Sequence, residues 1–215
     1  MNYAELLQSI QDFTENNETT FVAEIPTFVR QAEELIYRTV MIPELRTNVT
    51  ANMTASHTYV ARPAHFHAPF SFAVIDGSSN YNFRIEKDVN FMREAYPNQS
   101  TTGLPKYYSE FDGDVTSPSS SGNFIVAPTP DTTYSVQLHY YFDPPSIVTS
   151  STSWLGDNAE QALLYGSLVN AYIFMKGEQD VLAMYKEKFD EAMSRLMVLG
   201  EGRLKRDDYR GGQPR

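Results

Sequence analysis

The sequence predicts an α+β chain: a bundle of about four helices drawn from both ends, an antiparallel β domain inserted between them, and an extended C-terminal arm. Three observations predict it. Apolar residues recur at helical spacing in residues 1–47 and again in 151–200. Between them, residues 48–150 are rich in Thr, Ser, Tyr, Phe, Asn and Pro, and alternation replaces the helical period. Residues 201–215 are basic, hold several glycines and carry too few apolar side chains to build a core.

Residues 3–13 read as a short amphipathic helix with Leu6, Leu7, Ile10 and Phe13 on one side, broken by Asn16 and Asn17. A longer helix follows, from near Thr20 or Pro26 to near Val40. Its stripe is Phe21, Val22, Ile25, Phe28, Val29, Ala32, Leu35 and Ile36. Pro26 is either a first-turn proline or a kink, depending on where that helix starts, and Pro43 closes the region.

In the insert, Thr133–Tyr141 is the cleanest strand. Tyr134, Val136, Leu138 and Tyr140 share one face, and Ser135, Gln137 and His139 the other. Phe70–Ile75, Tyr81–Ile85, Lys106–Phe111 and Phe124–Ala127 are further strand candidates. Asp76-Gly77, Asp112-Gly113 and Ser121-Gly122 mark turns between them, and residues 88–105 and 113–123 read as exposed loops. A small antiparallel sheet or barrel accommodates these strands.

The last structured stretch, Trp154–Leu199, reads as two antiparallel helices joined at Gly177, and the bundle is organised around it. The first helix carries Leu155, Ala162, Leu163, Leu168, Val169, Tyr172 and Ile173 at helical spacing; Ser153 or Asp157 can cap it, and it ends at Lys176 and Gly177, the glycine able to take the left-handed exit. Gly166 lies mid-helix, where it costs roughly 1 kcal/mol against alanine, so close helix packing is its use. The second helix places Val181, Leu182, Tyr185, Phe189, Ala192, Met193 and Leu196 on one face and stops at Gly200 and Gly202. Trp154, Leu163, Tyr172, Phe189 and Leu196 are the expected bundle core.

With 215 residues, 41% hydrophobic and 20% charged, the chain can bury an ample core. It has no apolar run long enough to span a membrane and no signal-like start, so an intracellular protein without membrane contact is expected. Cysteine is absent, which excludes disulfides and thiolate metal sites. The net charge is −10, and residues 1–200 by themselves carry −12. The tail is basic on balance, with Arg203, Lys205, Arg206, Arg210 and Arg215 against Glu201, Asp207 and Asp208. An acidic body does not wrap DNA, because binding there rests on neutralising phosphates. It suits either simple solubility or a surface that DNA passes without sticking.

No catalytic constellation is found: no glycine-rich phosphate loop, no zinc-protease helix motif and no nucleophile elbow. His65 and His67 would share a strand face but have no third ligand nearby; Pro63, Phe66 and Pro69 around them point to packing. Asp112 and Asp114 lack the rest of a calcium loop and read as a hairpin turn. Glu33-Glu34 and Glu187/Glu191 read as solvated helix faces. The sequons at Asn17, Asn48, Asn52 and Asn98 matter only in a secreted protein. No catalytic, metal-binding or cofactor residue is assigned.

Three stretches carry a family resemblance. They are NYAELLQSIQDFTEN with FVAEIPTFVRQAEELIYRTVMIPELR, then APTPDTTYSVQLHYYFDPPSI, and then WLGDNAEQALLYGSLVNAYIFMKGEQDVLAMYKEKFDEAMSRL with its basic DDYR tail. Together they resemble the head-to-tail adaptor (connector) proteins of tailed bacteriophages, particularly those of short-tailed phages. Residues 48–125 match by position and strand-like composition only.

The resemblance implies a non-enzymatic virion protein of the neck, made in the host cytoplasm and assembled as a ring of roughly twelve copies under the portal. Its partners would be the portal protein and the tail nozzle or tail fibre proteins, with genomic DNA passing through unbound during ejection. It also implies that Arg203, Lys205, Arg206, Tyr209 and Arg210 form the portal-binding arm. Glu15, Glu18, Glu24, Glu33 and Glu34 are candidates to face the lumen, or solvated outer faces. Two other readings stay open on the residues alone. One is a neck or tail completion protein that does not touch the portal; the other is a small-ligand or metal-binding enzyme domain built on His65, His67 and the Tyr-rich sheet.

Overall fold

A computed structural model of the chain describes residues 1–111 and 122–204, the last four by their backbone alone. Among these residues it has seven helices and two four-stranded sheets, an α+β fold with helices at both ends and strands between, as the two periodicities predict. Two compact units result: Met1–Pro43 with the chain from Pro144 onward, and Glu44–Asp143.

Helix α1 (Tyr3–Thr14) is opened by a reciprocal cap. The Asn2 side chain accepts the Glu5 N–H and the Glu5 carboxylate accepts the Asn2 N–H, both at 2.9 Å. Leu6 and Ile10 are fully buried, whereas Phe13, in the expected stripe, is exposed. Helix α2 (Thr19–Thr39) takes the earlier of the two expected starts, so Pro26 lies inside it. Its buried face is the expected one except that Leu35 is exposed, Val22 half-buried, and Glu33 and Tyr37 buried as well.

The strand unit comprises β1 (Arg46–Met53), β2 (Tyr59–Ala61), β3 (Phe66–Ile75), β4 (Tyr81–Phe83), β5 (Ile85–Glu86), helix α3 (Val89–Ala95), β6 (Tyr107–Phe111), β7 (Asn123–Ala127) and β8 (Tyr134–Phe142). One sheet has the order β1-β8-β3-β4, the other β2-β7-β6-β5. All pairs are antiparallel except β5 with β6, which are parallel, so the insert is not the purely antiparallel domain expected. Val136, Leu138 and Tyr140 face inward with Phe72 and Val74 of β3, and Tyr108, Phe124 and Val126 of the second sheet meet them. The expected inward face of β8 is therefore the face that closes the sandwich.

Four local readings change here. β1 was not expected, because RTNVTANM offers few apolar positions; the eight-residue ladder to β8 holds it. β2 was not expected either. Tyr81–Ile85 is not one strand: at Arg84, whose N–H donates to the Phe72 carbonyl at 2.8 Å, the chain leaves the first sheet and enters the second. Within the expected loop 88–105, Asp88 accepts the Asn90 N–H and caps α3, and Met92 is buried. The Asp76-Gly77 turn is present, with Asp76 accepting the N–H groups of Ser78 and Asn80 at 2.9 Å. Asp112-Gly113 and most of the 113–123 loop lie outside the described residues; Asn123 already belongs to β7.

Back in the helical unit come α4 (Ile147–Ser150), α5 (Trp154–Asn158), α6 (Glu160–Met175) and α7 (Gln179–Leu204). The helix expected from Trp154 to Lys176 is broken at Ala159 (φ −140°, ψ 39°). Alanine is the best helix former, so the break has no local cause and is set by packing: Leu155 is fully buried, Trp154 only half-buried. Of the expected core, Leu163, Phe189 and Leu196 are buried; Tyr172 is half-buried and Ile173 exposed.

Helix α6 is apolar on nearly all sides, with Leu163, Leu164, Ser167, Leu168 and Ala171 buried, and α1, α2, α5 and α7 pack around it. Gly166 makes that possible: a Cβ there would stand 2.9 Å from Phe189 Cε2 and 3.1 Å from Ala32 Cβ. At the exit of α6 the left-handed residue is Lys176 (φ 54°), not Gly177. The glycine is required because a Cβ would fall 2.5 Å from the Tyr172 ring. Helix α7 does not stop at Gly200 or Gly202 but continues to Leu204. Gly200 is buried where α7 meets the end of α2, and a Cβ would lie 2.9 Å from the Met41 carbonyl oxygen. It serves close approach, not termination.

Candidate interaction surfaces

The expected arm is only partly within the described chain. Arg203 belongs to the last turn of α7, which corrects the reading of 201–204 as extended; Lys205, Arg206, Tyr209 and Arg210 lie outside the described residues. The reason is the role of Gly200, which fits a helix contact and leaves the helix free to run on.

Of the five carboxylates considered for a lumen, Glu15, Glu18, Glu24 and Glu34 are exposed, Glu34 paired with Arg38 at 2.8 Å. Glu33 is not a surface residue. It is 4% exposed, its Oε1 accepts the Ile147 N–H at 2.9 Å, and its Oε2 is buried with no hydrogen-bond donor among the described residues. It fastens the start of α4 to α2. Burial holds its carboxyl above the usual range, against the Ile147 N–H, the Ser146 hydroxyl and Arg30, which act the other way.

Glu33→Ala is expected to cost about 1–3 kcal/mol, because the Ile147 N–H is left without its acceptor. A raised folded pKa means the stability this group contributes is complete below its unfolded pKa and is lost as pH rises through the folded one. Urea unfolding of wild type and Glu33→Gln, over a range of about pH 4 to 8, should show that slope only in the wild type.

The histidines do not converge. His65 precedes β3 in a left-handed conformation (φ 57°), so it does not share a strand face with His67. The His67 Nδ1 lies 3.1 Å from Asp143, whose N–H donates to the His65 carbonyl at 2.8 Å. Among the described residues, no group of three His, Asp or Glu side chains could hold a metal ion. The Tyr-rich sheet is packed instead: Tyr108 stacks on Phe72 at 4.9 Å and lies beside Glu86, and burial raises its hydroxyl pKa. A cleft of about 520 Å³ in the helical unit is lined by Asp157, Glu160, Gln161, Arg195, Leu196 and Leu199. Arg195 is already held by Glu191 at 2.6 Å and Gln161 at 3.3 Å, so it is not poised for a ligand.

The surface that sequence reasoning missed is apolar. In the helical unit Phe13, Leu35, Met41, Ile173, Phe174 and Val198 are exposed, and in the strand unit Tyr59, Tyr81, Phe83, Ile85, Phe91 and Phe111. They are spread over α1, α2, α6 and α7 and the segment after α2 in one unit, and over β2, β4, β5, α3 and β6 in the other; only where neighbours adjoin, as along residues 81–85, do they make a continuous apolar stretch. In several cases the signal was an expected core position: Phe13, Leu35 and Ile173 were assigned to the inside from period alone. Among the described residues, no helix is long and apolar enough to cross a membrane.

The described chain is thus a helical unit built from both ends of the sequence, with a strand sandwich inserted between them in chain order. The family model of the SU10 adaptor protein matches residues 1–214. The chain belongs to that family, a family of phage head-to-tail adaptors. No curated protein matches it.

Proposed function

We propose that the chain forms a ring between the portal and the tail of the virion, attaches to the portal through residues 201–215, and offers the tail nozzle or fibres their platform. The single observation that carries this reading is the family match over residues 1–214. The division into a helical unit and an inserted strand unit supports it, since one can hold the head side while the other serves the tail. Arg203, Lys205, Arg206, Tyr209 and Arg210 are the portal contacts, complementing acidic or carbonyl-rich grooves on the partner. Glu15, Glu18, Glu24 and Glu34 face the channel, where fixed negative charge keeps DNA phosphates from binding. The protein acts without catalysis or cofactor.

Native mass spectrometry of the purified chain, alone and then mixed with portal rings of the same phage, tests the reading. The expected result is a fixed, full complement of copies on each portal ring. A folded chain that never adds to the portal would instead be a neck or tail part that binds elsewhere.

A further inference from the structure

Both sheets of the strand unit end on the same two flanks, and the flanks differ in chemistry. On one flank β4 closes the first sheet and β5 the second, so residues 81–86 run along it without interruption. Tyr81, Phe83 and Ile85 are 54, 68 and 59% exposed there. Edge strands that must stay in water usually carry lysine, proline or a bulge as a guard; here alternate positions are large and apolar.

The other flank is formed by β1 and β2. Between them is a hollow of about 130 Å³, lined by Val49, Ala51, Val60, Ala61 and Pro63, with Phe124 at its base. Ala51 and Ala61 are exposed, so the hollow is reached from outside. A dry cavity of roughly 150 Å³ takes up a benzene ring, so this one has the size of a single aromatic side chain. β1 is also unguarded: after Arg46 it has no charge and no proline, and its exposed Asn48, Thr50 and Asn52 present neutral oxygen acceptors.

We propose that the flanks are the two halves of one contact between copies: Phe83 of one chain enters the hollow between β1 and β2 of the next. A second copy fits better than an acidic partner. Asp76 and Asp131 act on Tyr134 beside Arg84, so an incoming carboxylate would meet like charge, whereas β1 brings none. Because donor and acceptor flanks lie at opposite ends of the same sheets, the contact repeats head to tail, the heterologous geometry that closes a ring. The inference rests on the ring reading above and assigns its seam.

The chain has no cysteine, so single-cysteine variants give a clean test. Phe83→Cys and Ala51→Cys are assembled on portal rings, separately and as a mixture, and treated with a short bismaleimide. A cross-linked pair is expected only from the mixture, and a ladder of multimers from the double variant. Phe83→Asp, at an exposed position, should melt as the wild type does while losing at least tenfold in ring filling. Ala51→Trp, which plugs the hollow, should lose as much. Wild-type rings that form on the portal while the mixture fails to cross-link and Phe83→Asp assembles normally would overturn the seam and leave the ring standing. A wild-type chain that stays monomeric on the portal removes the ring and the seam together.

Discussion

A chain ending at Leu204 is expected to fold as the full chain does and to lose its attachment to portal rings. Every described element is complete by that residue, because α7 packs through Gly200 and ends at Leu204. What the truncation removes is Lys205, Arg206, Tyr209, Arg210 and Arg215, most of the positive charge of the tail. Exposed ion pairs contribute only about 0–1 kcal/mol each, so several together are needed for a stable dock, and their loss should weaken binding by well over tenfold. Circular dichroism checks the fold, and native mass spectrometry with portal rings reads the binding. Reversing Lys205, Arg206 and Arg210 to Glu should reproduce the loss and leave Tyr209 in place. Normal docking by the truncated chain would take the arm out of the portal contact.

The strand unit has its own point of greatest sensitivity. Phe124 is 1% exposed and touches the rings of Phe66, Phe72 and Tyr108 at centroid distances of 5.4, 5.5 and 5.9 Å. It stands where the two sheets meet. Phe124→Ala is expected to cost about 3–5 kcal/mol, transfer free energy plus the cavity left behind. For a unit of this size each kcal/mol lowers Tm by roughly 4–8 °C, so the β transition should move well below that of the helices. Phe124→Leu, closer in volume, should cost less than about 2 kcal/mol. A Phe124→Ala chain whose melting is unchanged would mean that the sheets are not held together through this ring.

How much could be read from the chain follows from where the cause of each feature lies. The helices α1, α2 and α7 and the inward face of β8 were legible because their patterns are periodic and burial repeats with the pattern, and α6 was legible as a long apolar run without a single face. Gly166 was legible because a glycine is costly mid-helix, and Phe189 and Ala32 occupy the space its missing Cβ leaves. β1 was not legible, because its stability comes from pairing with β8 and not from its own side chains. Nor was the break at Ala159, which runs against local propensity. Of the proposed interaction surfaces, the basic tail could be named from composition. The Phe83 flank and the hollow at Ala51 could not, since each needs to know which strands end a sheet.

By itself, the sequence determined the fold class, the position of the strand insert between helices, and the words that match a phage adaptor family, all of which depend on local composition and period. Only the tertiary structure decided that Glu33 is a buried tether and not a surface charge, that Gly200 admits a neighbour and does not end α7, and that Tyr81, Phe83 and Ile85 stand outward on an open flank. The physical reason is common to all three. Whether a side chain is covered depends on what the rest of the chain brings against it, and period alone says which face a residue shares, not whether anything packs there.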